Sequence, residues 1–247
     1  MVEGVELVRE AMAAGIAPQS VFVAAEGVGD PGVIEVARMA GDLGVRVHEL
    51  APGVIAKVAD TMTPQPVMAV FPMRLPSPGE AVDFAGGQLV VVLDDVRDPG
   101  NAGTVLRTAE AAGADAVVFG AASVDPYNPK TVRSSAGSIF HVRVVVEPDI
   151  HWALSSLADQ GFLRLGAAVQ GAEDYTAVDW RRPVAVVLGN ESSGLGPSLP
   201  LDGLVGIPMT GRAESLNVAM ACAVLCFEAQ RQRRLEPGVG PRSTMPR

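Results

Sequence analysis

Short apolar runs alternate with helical patterns along most of the chain. In residues 88–234 the apolar runs are rich in Val, Leu and Ile. Continuous apolar runs predict strands buried on both faces, and the helices between them predict a parallel sheet covered on both sides. The predicted strands are Gln88–Leu93, Ala116–Gly120, His141–Val146, Leu163–Ala168, Val184–Leu188 and Leu204–Ile207. The predicted helices are Ala102–Ala112, Pro129–Ala136, Ile150–Gln160 and Ser215–Arg234.

The first part of the chain shows the same alternation on a smaller scale. Its predicted helices are Glu3–Ala14, Pro31–Asp42 and Pro52–Asp60, and its predicted strands are Ser20–Ala24, Arg46–His48 and Pro66–Phe71. The stretch Pro72–Gly79 contains three prolines and cannot hold a helix or a strand. We therefore predict a small α/β domain over residues 1–71, a linker over 72–86, a larger α/β domain over 87–235 and a flexible tail over 236–247.

The composition indicates a globular protein, because 48% of the 247 residues are hydrophobic and 19% are charged. No apolar run approaches the roughly 20 residues of a membrane helix, and the acidic N-terminus lacks the layout of a signal peptide. Cys222 and Cys226 lie four apart in an apolar helical run, so we expect buried core residues. The three histidines are scattered and predict no metal site. We expect a cytoplasmic protein.

The charge is unevenly distributed. The net charge is −9, of which residues 1–84 contribute −6. Phosphate binding needs cations, so this balance excludes a broad basic face for nucleic acid. The residues Arg231, Arg233 and Arg234 form a basic cluster near the end of the chain and leave a local basic surface open.

The stretch Gly27–Gly32 matches the G-x-G-x-x-G pattern of dinucleotide-binding loops, and Glu49 lies near the expected acidic position. However, Asp30 would stand among the amides meant for a pyrophosphate, and Pro31 removes one donor. A turn capped by Asp30, with Pro31 as the first helical residue, explains the same sequence. We therefore do not predict NAD binding.

Three polar, glycine-containing loops follow predicted strands in the second half. The first, Asp94–Thr108, contains the turn Pro99-Gly100, then Asn101 as a helix N-cap, then Arg107 on the helix. Taken alone, an Asn cap and a solvated arginine would explain it.

The second loop, Gly189–Gly196, is rich in glycine, which allows a ligand to approach the backbone, and it places Glu191 at its apex. In the third, Pro208–Ala219, Ser215 is the expected N-cap, and Asn217 is unfavourable inside the first turn unless it has another task. Taken alone, a plain turn and a capped helix start would explain these two loops.

Together the three loops resemble motifs one, two and three of the SpoU branch of the SPOUT RNA methyltransferases, over essentially all of residues 88–234. The matching residues are Asp98-Pro99-Gly100-Asn101 with Leu106-Arg107-Thr108, Leu188-Gly189-Asn190-Glu191-Ser192 with Gly194-Leu195, and Ile207-Pro208-Met209 with Glu214-Ser215-Leu216-Asn217-Val218-Ala219.

This resemblance implies a deep C-terminal trefoil knot, which is an exception to the rule that connections do not thread loops. It implies that S-adenosylmethionine binds in the knot, largely to backbone, and that the protein dimerises through the knot region with the C-terminal helix as the contact. The implied cofactor-binding residues are Ala168, Leu188, Gly189, Asn190, Ile207, Met209 and Leu216.

The resemblance also implies methyl transfer to a ribose 2′-hydroxyl. Arg107 would stabilise charge on the reacting oxygen or a phosphate, since a guanidinium essentially never deprotonates in proteins. Asn101 would orient the ribose or Arg107, and Glu191 would pair with Arg107 in the same chain or across two subunits. Ser215 and Asn217 would complete the site.

The first domain resembles, more weakly, the ribosomal-protein-like RNA-binding module of the two-domain, thiostrepton-resistance type. The match is Val2-Glu3-Gly4 before a helix, then Val21–Ala24. Relatives usually carry a basic segment and a strand before Glu-Gly, and we expect that here the segment is absent or the start is truncated. The layout favours large-subunit rRNA over tRNA as substrate. A non-catalytic RNA-binding protein and a nucleotide-dependent oxidoreductase remain the other hypotheses.

Overall fold

The computed structural model describes residues 1–59, 61–73 and 83–235, which form two β-sheets. The first sheet has four strands in the order β1-β4-β2-β3, with β2 and β3 parallel and β4 antiparallel to its neighbours. Its strands are β1 (Val2–Glu3), β2 (Ser20–Ala24), β3 (Val47–Leu50) and β4 (Val67–Val70). Its helices are α1 (Val5–Ala13), α2 (Pro31–Asp42) and α3 (Val54–Val58).

The second sheet has seven parallel strands in the order β7-β6-β5-β10-β8-β11-β9, which confirms the predicted α/β class. Its strands are β5 (Leu89–Leu93), β6 (Ala116–Gly120), β7 (Arg143–Glu147), β8 (Leu163–Ala167), β9 (Glu173–Asp174), β10 (Val184–Leu188) and β11 (Gly203–Gly206). Its helices are α4 (Pro99–Ala112), α5 (Pro129–Ser134), α6 (Ile150–Asp159) and α7 (Val218–Arg234).

Alternate residues of the central strands enter two separate cores. In β5, Leu89, Val91 and Leu93 pack with α4 and α7 on one face, whereas Val90 and Val92 pack with α6 on the other. All five residues are fully buried, because a parallel sheet carries helices on both faces. This explains why the strands read as continuous apolar runs.

Several element boundaries differ from the prediction. The first predicted helix begins at Val5, because Val2–Glu3 pairs with β4, and the short strand β9 had no apolar signal. The end of the predicted linker is packed: the Phe84 N–H donates to Gln160 Oε1 at 2.7 Å, and the Arg143 guanidinium lies 4.9 Å from the centroid of the Phe84 ring. Residues 60, 74–82 and 236–247, including most of the linker and the predicted tail, lie outside the described residues.

The glycine motif near the start of the chain is a capped helix start. The Asp30 carboxylate accepts from Gly32 N at 2.8 Å and from Val33 N at 3.2 Å, and Pro31 is the first residue of α2. The amides that a pyrophosphate would need are thus occupied by a carboxylate. The capped-turn interpretation is confirmed.

The C-terminal arginines fasten α7 to the rest of the domain. Arg231 makes two hydrogen bonds of 2.7 Å to the Glu228 carboxylate, which lowers the pKa of Glu228. Arg233 donates to the backbone carbonyls of Trp180 and Gln88 at 2.9 and 2.7 Å. Two of the three arginines in this cluster are therefore bound to acceptors within the chain, which reduces their share in the local basic surface that the sequence left open.

Candidate active site

The three polar loops meet where the strand order of the larger sheet reverses. The chain runs outward from β5 through β6 to β7, then crosses to β8 on the far side of β10. Loops on either side of such a reversal diverge and leave a crevice at the carboxyl ends of the strands. The loops after β5, β8, β10 and β11 all open onto this edge, which positions the site.

A cleft of about 710 Å³ lies at this edge, within the range of about 300–1,000 Å³ for small-molecule pockets. All seven residues predicted to bind the cofactor line it, although they come from three separate loops. They are Ala168, Leu188, Gly189, Asn190, Ile207, Met209 and Leu216. Glu191, Ser215 and Asn217 line the same cleft. The apolar part of the wall is completed by leucines at positions 195, 199, 201 and 204.

Asn190 organises the second loop rather than presenting its side chain to a ligand. Its Oδ1 accepts from Ser192 N at 2.9 Å and Ser193 N at 3.1 Å. Its Nδ2 donates to the backbone carbonyl of Asp95 at 2.9 Å. Its own N–H and C=O pair with Gly194 at 2.9 Å. The side chain therefore closes the loop and joins it to the loop after β5.

Two residues that support the cleft carried weak sequence signals. The Asp94 carboxylate accepts from Gly196 N at 3.0 Å and so ties the glycine-rich loop to the end of β5. Gly166 lies inside β8, where a Cβ would stand 2.7 Å from Leu201 Cδ1, so its missing side chain lets the leucines of the cleft wall pack. A glycine inside a strand often marks a place where another group approaches closely. The glycine in the predicted strand Leu163–Ala168 was therefore the sequence signal for this contact.

Side-chain hydrogen bonds connect one residue from each of the three motifs. Asn217 Nδ2 donates to Asn101 Oδ1 at 2.9 Å, and Asn101 Nδ2 donates to Glu191 Oε1 at 2.9 Å. Asn101 is half-buried between its two partners, which are exposed at the mouth of the cleft. The row of Asn217, Asn101 and Glu191 is called the amide–carboxylate chain below. It fixes the direction of the Glu191 carboxylate.

Two predicted helix caps are wrong. Asp98 caps α4, because its carboxylate accepts from Asn101 N at 2.8 Å, and Asn101 is the third residue of the helix. Asn217 caps α7, because its Oδ1 accepts from Ala219 N at 2.9 Å, whereas Ser215 precedes the helix and lines the cleft. Because Asn217 stands at the cap and not inside the helix, the low helix propensity of asparagine does not count against it there. Its Nδ2 is then available to bind Asn101.

Arg107 stands apart from this chain of contacts. It is exposed on α4, six residues after Asn101, which is about 9 Å along the helix axis and about 120° around it. Within the described part of the chain, Arg107 makes no hydrogen bond or ion pair. Within one chain Arg107 therefore contacts neither Glu191 nor Asn101, because Asn101 binds Glu191 instead. A contact of Arg107 with Glu191 across two subunits stays a prediction.

Another arginine, Arg97, lies near the Glu191 carboxylate. The Arg97 guanidinium makes hydrogen bonds of 2.6 and 3.1 Å to Asp95, and this carboxylate raises the pKa of Arg97. Glu191 adds to the same shift through space. Asp95 has a φ of 62°, a left-handed backbone that costs a non-glycine residue energy, and its carbonyl is held by Asn190. The ion pair of Arg97 with Asp95 was not predicted from the sequence.

Neither a metal site nor a membrane span is found in the described residues. No group of three or more His, Cys, Asp or Glu side chains is arranged there to hold a metal ion. No helix among them is long and apolar enough to cross a bilayer. Cys222 and Cys226 are fully buried core residues, with their sulfurs 3.7 Å apart, and this contact and burial raise the pKa of Cys222.

Comparison with known families decides the relationship. The SpoU rRNA Methylase family matches residues 88–227, more than half of the chain, and includes all three loops. The chain belongs to the SpoU rRNA methylase family. Residues 1–69 match a second family, described as an MRM3-like substrate binding domain.

Members of the SpoU family similar to this chain include characterised and solved enzymes. The 23S rRNA (guanosine(2553)-2′-O)-methyltransferase RlmP of Bacillus subtilis is 35% identical over 92% of this chain and 86% of its own length. A tRNA (guanosine(18)-2′-O)-methyltransferase of Thermus thermophilus is 41% identical over 59% of this chain and 75% of its own. The structure of AviRb from Streptomyces viridochromogenes in complex with AdoMet superposes with a TM-score of 0.82, at 28% identity, over 94% of this chain and 90% of that one.

Proposed function

We propose that this chain transfers a methyl group from S-adenosylmethionine to the 2′-hydroxyl of a ribose in large-subunit rRNA. The observation that carries the proposal is the amide–carboxylate chain, which joins all three motifs at the mouth of the cleft. A protein that only bound RNA would have no need to hold a carboxylate and two amides beside a small-molecule cleft. The family supports the enzyme class and the methyl donor.

The cleft suits S-adenosylmethionine in its shape and in its lining. Apolar side chains on the walls, including Leu188, Ile207 and Leu216, suit a flat adenine ring. Gly189 has no side chain, so the Gly194–Leu195 backbone packs against its Cα and holds the returning loop along the wall of the cleft. We assign cofactor binding to all seven of the predicted residues, with Asn190 acting through the loop that it closes.

The chain's own residues must hold the ribose and stabilise charge on its 2′-oxygen. The bound cofactor supplies a methyl group that its sulfonium makes electrophilic. The amide–carboxylate chain orients the ribose at the mouth of the cleft, which fixes the approach of the oxygen. The family resemblance supports a role for Arg107, exposed on α4 outside the lining of the cleft, in stabilising the negative charge that develops on this oxygen as its proton passes to solvent water. Ser215, on the loop before α7, completes the wall.

Large-subunit rRNA is favoured over tRNA because of the extent of the similarity. The rRNA enzyme RlmP aligns along nearly the whole chain, including the first sheet, whereas the tRNA enzyme aligns over 59% of it. The first sheet also matches a substrate-binding domain. We propose that this unit delivers the rRNA to the cleft.

Two further features are proposed from the family resemblance. We propose that the chain after β10 is threaded as a trefoil knot. We also propose a homodimer through α7, whose exposed face carries Met220 and Phe227, 60% and 44% exposed. These residues are seven positions apart and thus lie on one stripe of the helix, and a second copy would remove this apolar stripe from water.

The decisive experiment measures transfer of labelled methyl from S-adenosylmethionine into unmodified large-subunit rRNA and, separately, into bulk tRNA. We expect label in rRNA. Arg107→Ala should lower turnover by roughly 10²–10³-fold while leaving cofactor affinity intact, since one charge-stabilising group is lost. Arg234→Ala, an exposed arginine at the far end of α7, is the control. Label in tRNA alone would refute the rRNA assignment, and unchanged turnover would remove Arg107 from the mechanism.

A further inference from the structure

The acidic balance of the chain poses a question about how it holds RNA. Internal partners bind several arginines, including Arg164, which is 15% exposed and makes bonds of 2.9 and 2.7 Å to Asp202. On α7, Arg231 binds the Glu228 carboxylate and Arg233 binds backbone carbonyls. Each cation that binds a phosphate adds to RNA affinity by releasing counterions. Since few cations are available in this chain, a small number of well-placed side chains must supply that part of the affinity.

Two exposed cations flank the start of α4, beside the catalytic residues. Arg97 directly precedes the capping residue Asp98, and its side chain is 70% exposed. Lys130, at the start of α5, lies with its Nζ 3.8 Å from Asp98 Oδ2, and its side chain is 60% exposed. The other oxygen of Asp98 accepts from the backbone N–H of Asn101. Asp98 therefore links both cations to the first turn of α4, which contains Asn101: Arg97 precedes Asp98 in the sequence, and Lys130 lies against its carboxylate.

We propose that Arg97 and Lys130 bind the RNA phosphates on either side of the methylated ribose; this rests on the proposed function. Asp95 accepts from Nε and Nη2 of Arg97, and Nη1 makes no hydrogen bond to the described residues. The guanidinium is thus already oriented and loses little entropy on binding. Lys130 contributes a mobile point charge on the opposite side of Asp98. Phosphate contacts of this kind set the register of the nucleotide without reading its base.

Arg97→Gln and Lys130→Gln test the proposal in the full-length protein with unmodified large-subunit rRNA. RNA affinity should fall by roughly 3- to 10-fold for each variant, and the slope of log affinity against log salt should fall by about 0.7–0.9 for each cation removed. Affinity for S-adenosylmethionine should remain within about twofold of wild type. Arg97→Lys and Lys130→Arg keep the charge and should restore the slope.

Arg181→Gln is a matched control, because Arg181 also binds the aspartate two residues before it, with Nε 2.6 Å from Asp179 Oδ1. It precedes β10 and thus lies at the opposite edge of the sheet. An unchanged salt slope in the Arg97 and Lys130 variants, or an equal change in Arg181→Gln, would overturn the proposal. Absence of methyl transfer by the wild-type protein would instead refute the proposed function.

Discussion

Gly189 is the residue at which the structure of the cleft can be tested most directly. It follows β10 and lines the cleft, and the backbone of the returning loop lies against its Cα. A Cβ at this position would overlap the C and O atoms of Gly194 and stand 2.6 Å from Leu195 N. These atoms belong to backbone, so no rotamer change can relieve the contact.

The expected cost of Gly189→Ala follows from this geometry. Carbon atoms pack favourably at about 3.5–4.0 Å, so the Gly194–Leu195 backbone must move outward by roughly 1 Å. Overpacking of this kind typically costs about 1–3 kcal/mol. Gly194 and Leu195 themselves form the wall of the cleft, so the displacement distorts the binding surface. The free protein bears this strain as well as the complex, so the free energy of unfolding should fall by that amount. Because the displaced wall no longer matches the ligand, affinity for S-adenosylmethionine should also fall, by roughly 10-fold or more, which corresponds to about 1.4 kcal/mol or more.

Calorimetric titration with S-adenosylmethionine measures the affinity, and thermal unfolding checks that the variant is folded. Gly211→Ala, in the third loop, is the matched control, because a Cβ there meets nothing within 4 Å. It should bind like the wild type. If Gly189→Ala is folded and binds the cofactor as tightly as Gly211→Ala, the placement of the cofactor against this loop is refuted.

Two further predictions concern stability and assembly. The Arg164 guanidinium lowers the pKa of Asp202, so the pair stabilises the fold fully above the unfolded aspartate pKa of about 3.9 and progressively less as the pH falls through the lower folded-state value. Asp202→Asn should therefore lower the free energy of unfolding by on the order of 1 kcal/mol at neutral pH, as measured by urea unfolding. The difference from wild type should shrink below about pH 4, and a difference that does not depend on pH would contradict this linkage. Phe227→Asp should convert the proposed dimer to a monomer in light scattering, whereas Trp152→Asp, a 43% exposed aromatic residue on α6, should not; a wild-type monomer would refute the dimer.

The central strands of the larger sheet could be predicted because β5, β6 and β10 are buried on both faces. Val184–Leu188 was predicted with the bounds that the structure has, and all five of its residues are buried. Where the local signal was ambiguous, the prediction failed. Asp98, Asn101, Ser215 and Asn217 are all acceptable caps by residue type, and the paths of α4 and α7 decided which of them serve.

The sequence by itself determined the class of fold and the positions of the three polar loops, because these depend on local periodicity and on residue types. The residues that line the cleft were predicted from the resemblance of these loops to the SpoU motifs. Only the tertiary structure decided their partners. Asn101 and Asn217 are 116 positions apart in the chain, and Asn101 and Glu191 are 90 apart. Their contacts exist because β5 and β10 are neighbours and α7 packs on α4. Residue spacing does not contain that adjacency, so the contact of Asn101 with Glu191 could not be predicted from it.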